Sequence, residues 1–171
     1  MTRLGWRWWL ALGVAVILVG PGEVGAQLAP EAKKALDPLV GTWRLEVDIK
    51  AVGAMAASKG TGTDTCEWFA AMHLVCKAEL TGPTGKYQSM RTISYVPQQG
   101  KYLSHFVDSL GYAVNSIGEA GDGSLVFASE LGGYRSRVTL KVAGASYTSV
   151  TDWAGPDGKW TVASEDKGTR R

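Results

Sequence analysis

From residue 39 onward, apolar and polar side chains alternate with a period of two, in segments cut at short intervals by glycine. The pattern is clearest at 134–142, where Tyr134, Ser136, Val138, Leu140 and Val142 alternate with Arg135, Arg137, Thr139 and Lys141. Successive side chains of a strand point to opposite faces of a sheet, so each such segment reads as a strand with one buried and one wetted face. Trp43, Leu45, Val47 and Ile49 repeat the pattern against Arg44, Glu46, Asp48 and Lys50 in a segment over 39–52. Further strands are expected over 63–69, 72–80, 86–96, 101–108, 111–118, 125–130, 147–153 and 159–166, separated by Gly, Pro and Asp turns such as Pro97-Gln98-Gln99-Gly100 and Gly155-Pro156-Asp157-Gly158. Residues 51–62 are small and glycine-rich and read as a mobile loop.

Roughly nine or ten short strands joined in sequence by tight turns favour an all-β antiparallel meander. A meander of that many strands closes into a barrel, which also removes exposed edges. One short helix is expected before it, over 30–37, stopped at Pro38. The domain reading is therefore a leader over 1–26, a short helical lead-in over 27–38 and a β-barrel over 39–171.

The leader follows from residue order. Arg3 and Arg7 charge the first nine residues, Leu10 to Val19 form an apolar run, and Pro21 and Gly22 break it. Val24-Gly25-Ala26 supplies a cleavage signal before Gln27. The apolar run is shorter than the ~20 residues that a spanning helix needs. The expectation is a cleaved signal peptide and a soluble product, periplasmic or secreted, with no membrane anchor.

An exported chain meets an oxidising compartment, where disulfides persist. Cys66 and Cys76 are the only cysteines. If they oppose each other, Trp68 pairs with Leu74 and Asp64 with Ala78, and both sulfurs share a face with Trp68 and Leu74. A structural disulfide is expected. Two cysteines without a second ligand cluster make a poor zinc site, so no metal and no cofactor is expected.

The net charge is +2 over 171 residues, and loss of Arg3, Arg7 and Glu23 with the leader lowers it to +1. Such a surface does not steer toward nucleic acid. The pairs Lys33-Lys34 and Arg170-Arg171 read as solvated ends. His105 and Asp108 point to opposite faces of one strand and form no catalytic pair, and no Gly-x-Ser-x-Gly elbow is present. The chain is not expected to be an enzyme.

Leu39-Val40-Gly41-Thr42-Trp43 follows the short helix and opens the first strand. It resembles the Gly-x-Trp start of lipocalin-like (calycin) barrels. The stretch from Gly100 to Gly111, Gly-Lys-Tyr-Leu-Ser-His-Phe-Val-Asp-Ser-Leu-Gly, is similar to the central motif of a bacterial family of unknown function, number 1579. Gly118, Asp152-Trp153 and Lys159-Trp160 fit the same layout, and the resemblance spans residues 36–169. It implies a small lipocalin-like barrel and transfers no chemistry. The cysteine hairpin stands outside it. Trp43 at the barrel start is expected to plug the floor, and Trp153 and Trp160 to pair across the last hairpin.

The Pro97–Gly100 loop sets a register in which Tyr95 opposes Tyr102, Ile93 opposes Ser104, Arg91 opposes Phe106 and Ser89 opposes Asp108. One face then carries Tyr87, Arg91, Tyr95, Tyr102, Phe106 and Asp108, with Arg91 and Asp108 diagonal neighbours within reach of a charge-assisted bond. Apolar walls with a few placed polar groups are the make-up of a ligand pocket. The opposite face, with Met90, Thr92, Leu103, His105 and Val107, fits the interior equally well. Two functions match this pattern: a binding module for a small apolar or amphipathic ligand, or an envelope structural or interaction protein with a filled barrel.

Overall fold

The computed structural model describes residues 28–53 and 56–171. The leader and its cleavage site lie outside the described residues. The described residues form a closed barrel of ten antiparallel strands in meander order. These are β1 (Gly41–Ile49), β2 (Ser58–Phe69), β3 (His73–Gly82), β4 (Gly85–Val96), β5 (Lys101–Asp108), β6 (Ala113–Gly121), β7 (Ser124–Leu131), β8 (Tyr134–Ala143), β9 (Ser146–Ala154) and β10 (Trp160–Arg170). The first and last strands pair from Trp43↔Arg170 to Ile49↔Ser164, which closes the ring.

One end of the barrel is sealed. Helix α1 (Pro30–Leu36) starts with Pro at its first turn, where the missing N–H costs nothing, and Glu31 there suits the positive end of the helix. Ala32 and Leu36 are one turn apart, fully buried, and packed with Leu39, Leu74, Ile93, Tyr102, Leu125, Phe127 and Leu140 into one core. A 3-10 turn, Asp37–Leu39, then delivers the chain to β1.

The Leu39-to-Trp43 motif is explained at this seal. Trp43 is fully buried, its Nε1 donates to the Leu39 carbonyl at 2.8 Å, and its ring meets that of Tyr147 edge-on at 5.0 Å. Burying such a side chain contributes on the order of 5 kcal/mol. Gly41 sits at φ +131, and a Cβ there would collide with the Arg170 guanidinium. That guanidinium donates to the carbonyls of Val40 (2.8 Å) and Pro38 (2.9 Å) and lies 4.3 Å over the Trp43 ring. Arg170 is therefore a latch between the last strand and the floor, not a solvated end. Lys33 is likewise engaged, with Asp37 at 2.7 Å and 5.1 Å over the Trp68 ring.

Two other expectations are corrected. Residues 58–62 are strand, not mobile loop: Gly60 and Gly62 pair with Val47 and Leu45. A Cβ at Gly62 would collide with the Glu79 carbonyl, so these glycines permit close backbone approach within a strand. Trp153 and Trp160 do not pair. Trp160 opposes Ala154 on the outer face under Arg135 and Arg137, whereas Trp153 opposes Thr161 on the inner face.

The cysteine hairpin is as expected. Cys66 and Cys76 are directly opposed, 4.0 Å apart at Cα, and joined by a disulfide, with Trp68↔Leu74 and Asp64↔Ala78 alongside. The connecting turn holds Ala70 and Ala71 at φ 49 and 55, a left-handed conformation that costs roughly 1–2 kcal/mol per residue.

Candidate functional site

The structure settles which face points inward. Pairing across the whole ring puts Trp43, Leu45, Cys66, Leu74, Ile93 and Tyr102 inside, and with them Tyr87, Arg91, Tyr95, Phe106 and Asp108. Met90 and Leu103 are on the outer face and exposed. His105 faces out toward Asn115 (2.7 Å), and His73 toward Ser94 (2.7 Å).

The inward residues divide by height. Tyr95 and Tyr102, ring centroids 5.2 Å apart, belong to the sealed floor. Tyr87, Arg91, Phe106 and Asp108 belong to the opposite half, whose end carries the β3–β4, β5–β6, β7–β8 and β9–β10 connections. Here inward-facing Val47, Tyr87, Arg91, Phe106, Val114 and Trp153 keep partial exposure, so solvent reaches the inner wall at this end among the described residues.

Asp108 does not bond to Arg91. Its Oδ2 accepts from the Tyr87 hydroxyl (3.1 Å), and its Oδ1 accepts the backbone N–H groups of Leu110 and Tyr112 (both 2.9 Å). The acid thus fixes the β5–β6 turn. Burial, followed by the nearby Asp108 charge, pushes the Tyr87 phenol well above its usual range.

Arg91 faces a different set of groups. It lies between Cys76 and Phe106 in the ladder, with the guanidinium 5.7 Å from the Phe106 centroid. Its charge is felt by Asp64, Asp166 and Tyr147. Asp64 comes in from β2 and accepts from the Tyr147 hydroxyl at 3.0 Å. Burial raises its carboxyl above the usual range, against the pull of Tyr147 and Arg91. Asp166, on β10 opposite Val47 and Ser149, is pushed up to about 6 by burial, with the Asp64 charge adding to the rise. Arg91 and the Ser149 and Ser164 hydroxyls oppose the shift, yet Asp166 Oδ1 is sealed without a hydrogen-bond partner.

Asp64, Tyr147 and Asp166 were not among the site residues expected from sequence. Asp64 and the two sulfurs lie within 4.8 Å of one another, but a disulfide carries no thiolate to ligate a metal. Among the described residues no hydrogen bond or ion pair holds the Arg91 guanidinium. A groove of about 560 Å³ also lies outside the barrel, between Arg44, Thr63, Glu79 and Lys86. Its long side chains are exposed, and Gln88 donates to Glu79 across its wall at 3.2 Å.

The family described as Protein of unknown function (DUF1579) matches residues 29–165. The chain belongs to this family. Among solved structures, the DUF1579 barrel is similar to Rv2717c from M. tuberculosis, with a TM-score of 0.66 and 12% identity over 85% of this chain and 99% of that one. That likeness is one of fold. Two designed proteins also match, at lower scores: a de novo designed fluorescence-activating β-barrel (TM-score 0.46, 14% identity, 80% of this chain and 97% of that one) and the redesigned barrel mFAP0 bound to DFHBI (TM-score 0.45, 12% identity, 78% and 99%). Comparison with curated proteins finds no match.

Proposed function

We propose that this DUF1579 barrel is a non-catalytic binding module, exported by its leader, that takes a small amphipathic molecule through the open end. The observation that carries the reading is the Arg91 guanidinium. It is half-buried inside the barrel, 5.7 Å from the Phe106 ring centroid, and unpartnered among the described residues. A guanidinium has five N–H donors, and leaving them unmatched away from bulk water is costly. Water or a ligand completes them. Phe106 beside the guanidinium, Val114 opposite Phe106 in the ladder, and Tyr87 on the same face of β4 supply the apolar contact of a small-molecule site.

Export rests on the leader pattern and agrees with the disulfide, which persists in oxidising compartments. Among the described residues no helix is long and apolar enough to cross a membrane.

The filled-barrel alternative draws on the floor, where Leu36, Trp43, Leu74 and Ile93 are fully buried. Native mass spectrometry of protein purified from its source separates the two. The binding reading expects a small-molecule adduct that is released on denaturation and lost in Arg91→Ala. A bare protein mass, together with a barrel interior that excludes a naphthalene-sized probe, would refute it.

A further inference from the structure

The hydrogen-bond accounting inside the open half says what kind of polar group it lacks. Tyr87 O–H is spent on Asp108, Tyr147 O–H on Asp64, and Ser129 and Ser136 bond to each other at 2.7 Å. Asp108 has both oxygens occupied. Asp166 Oδ1 is unpartnered but sealed, so an incoming donor does not reach it. The Arg91 nitrogens are not among the sealed orphan atoms, and the residue keeps partial exposure. Asp64 keeps partial exposure and one oxygen free of hydrogen bonds among the described residues, whereas the cationic side of this half is a planar fork of donors on Arg91 that calls for acceptor oxygens.

We propose that the open chamber recognises a small carboxylic acid with a flat apolar body, its carboxylate docking in-plane on the Arg91 guanidinium. The inference rests on the binding reading above and names the ligand class for the same site. A carboxylate matches the guanidinium fork with two parallel hydrogen bonds, which a single acceptor does not. The Phe106 ring, 5.7 Å from the guanidinium, and Tyr87 on the same face of β4 offer aromatic surface for a flat body.

The charge balance adds a consequence. Asp64 from β2, Arg91 from β4 and Asp166 from β10 act on one another, with Tyr147 from β9 hydrogen-bonded to Asp64 and Tyr87 and Asp108 toward the rim. With both inner carboxyls ionised, one cation already faces two anions. A third carboxylate enters most favourably if one resident carboxyl takes a proton. Asp166 is that carboxyl: its Oδ1 is orphaned and its affinity for a proton is already raised. Capture of one carboxylate is then accompanied by uptake of one proton from solvent, which forms an O–H bond on Asp166. No other bond changes.

The test compares 2-naphthoate, which stays ionised over the range used, with its neutral relative 2-naphthamide, by fluorescence titration from pH 8 to pH 6. Naphthoate affinity is expected to rise on acidification by up to about tenfold per pH unit, while naphthamide affinity stays level. Arg91→Gln should cost naphthoate roughly 10- to 100-fold and erase its advantage over the amide. Asp166→Asn should flatten the naphthoate pH slope. A naphthoate affinity that is level or falls on acidification, or that never exceeds the amide's, would overturn the inference. Because the pH series uses the unaltered protein, it decides the matter even if a variant does not fold. If neither probe enters at any pH, the binding reading itself fails.

Discussion

Asp166→Asn should make the protein more stable at neutral pH than the unaltered chain. Burial raises the Asp166 carboxyl from 3.8 to about 6, so the folded state holds a proton between roughly pH 4 and pH 6 that the unfolded chain has given up. Below that window the group costs nothing. As pH rises through it, folding must expel the proton and bury a charge, and stability falls. Two pKa units and a fraction, at about 1.4 kcal/mol per unit, put the loss near 3 kcal/mol once pH exceeds 6. Asn carries no such charge. The stability difference, variant minus unaltered, should therefore grow by about 2.4 kcal/mol between pH 4 and pH 7, about 5–10 °C in Tm for a domain of this size. Asp64, also raised by burial, is present in both proteins, and because its charge adds to the Asp166 rise the difference includes that repulsion. Urea unfolding at pH 4, 5, 6 and 7, followed by tryptophan fluorescence with the disulfide intact, gives the comparison. Curves that run parallel across that range would refute the reasoning, whatever their constant offset. A residue that weakens the fold at working pH is the kind of expense retained at functional sites.

Three further outcomes follow from the packing. Gly118→Ala drives a Cβ into the Phe127 ring and should destabilise by about 1–3 kcal/mol in urea unfolding, with much of the loss recovered in the double variant with Phe127→Leu. Reduction of Cys66–Cys76, which lie ten residues apart, should lower unfolding stability by about 2–3 kcal/mol; an unchanged urea midpoint in reductant would show that the hairpin is held by pairing alone. Arg170→Ala removes two hydrogen bonds to floor carbonyls and the Trp43 stack, so amide exchange should accelerate by about 10- to 100-fold in β1 and β10 at the sealed end and far less in β5 and β6.

Much of the ring was legible because turns fix register. The Pro97–Gly100 loop and the Cys66–Cys76 pairing each set a ladder by counting, and every rung read from them, Tyr95↔Tyr102 and Ser89↔Asp108 among them, is present. Which face of β4 and β5 pointed inward was not legible locally, because both faces mix apolar and polar residues. Only closure against Trp43 and Leu74, from strands distant in sequence, decides it. Gly60 and Gly62 misled for a related reason. A glycine that permits close backbone approach looks the same in sequence as one that makes a turn.

The site was harder to read than the fold, and the cause can be located on β10. Counting by twos from the outward Trp160 places Asp166 on the outside. The ladder slips between Val162 and Ser164: Val162 pairs with the outward Asp152, but Ser164 pairs with the inward Thr151. The slip carries Asp166 inside, opposite Ser149. A bulge of this kind leaves no mark in a strand of small and charged residues. Asp64 had the right parity, two positions from Cys66, but an acid on an apolar face contradicts the rule by which that face is recognised. Arg91 entered the candidate set because its strand was anchored by a counted turn. The polar residues that matter here lie on the inner wall of a barrel half that is not packed with hydrocarbon. In that half polarity no longer separates inside from outside, so the pattern that revealed the barrel could not reveal its contents.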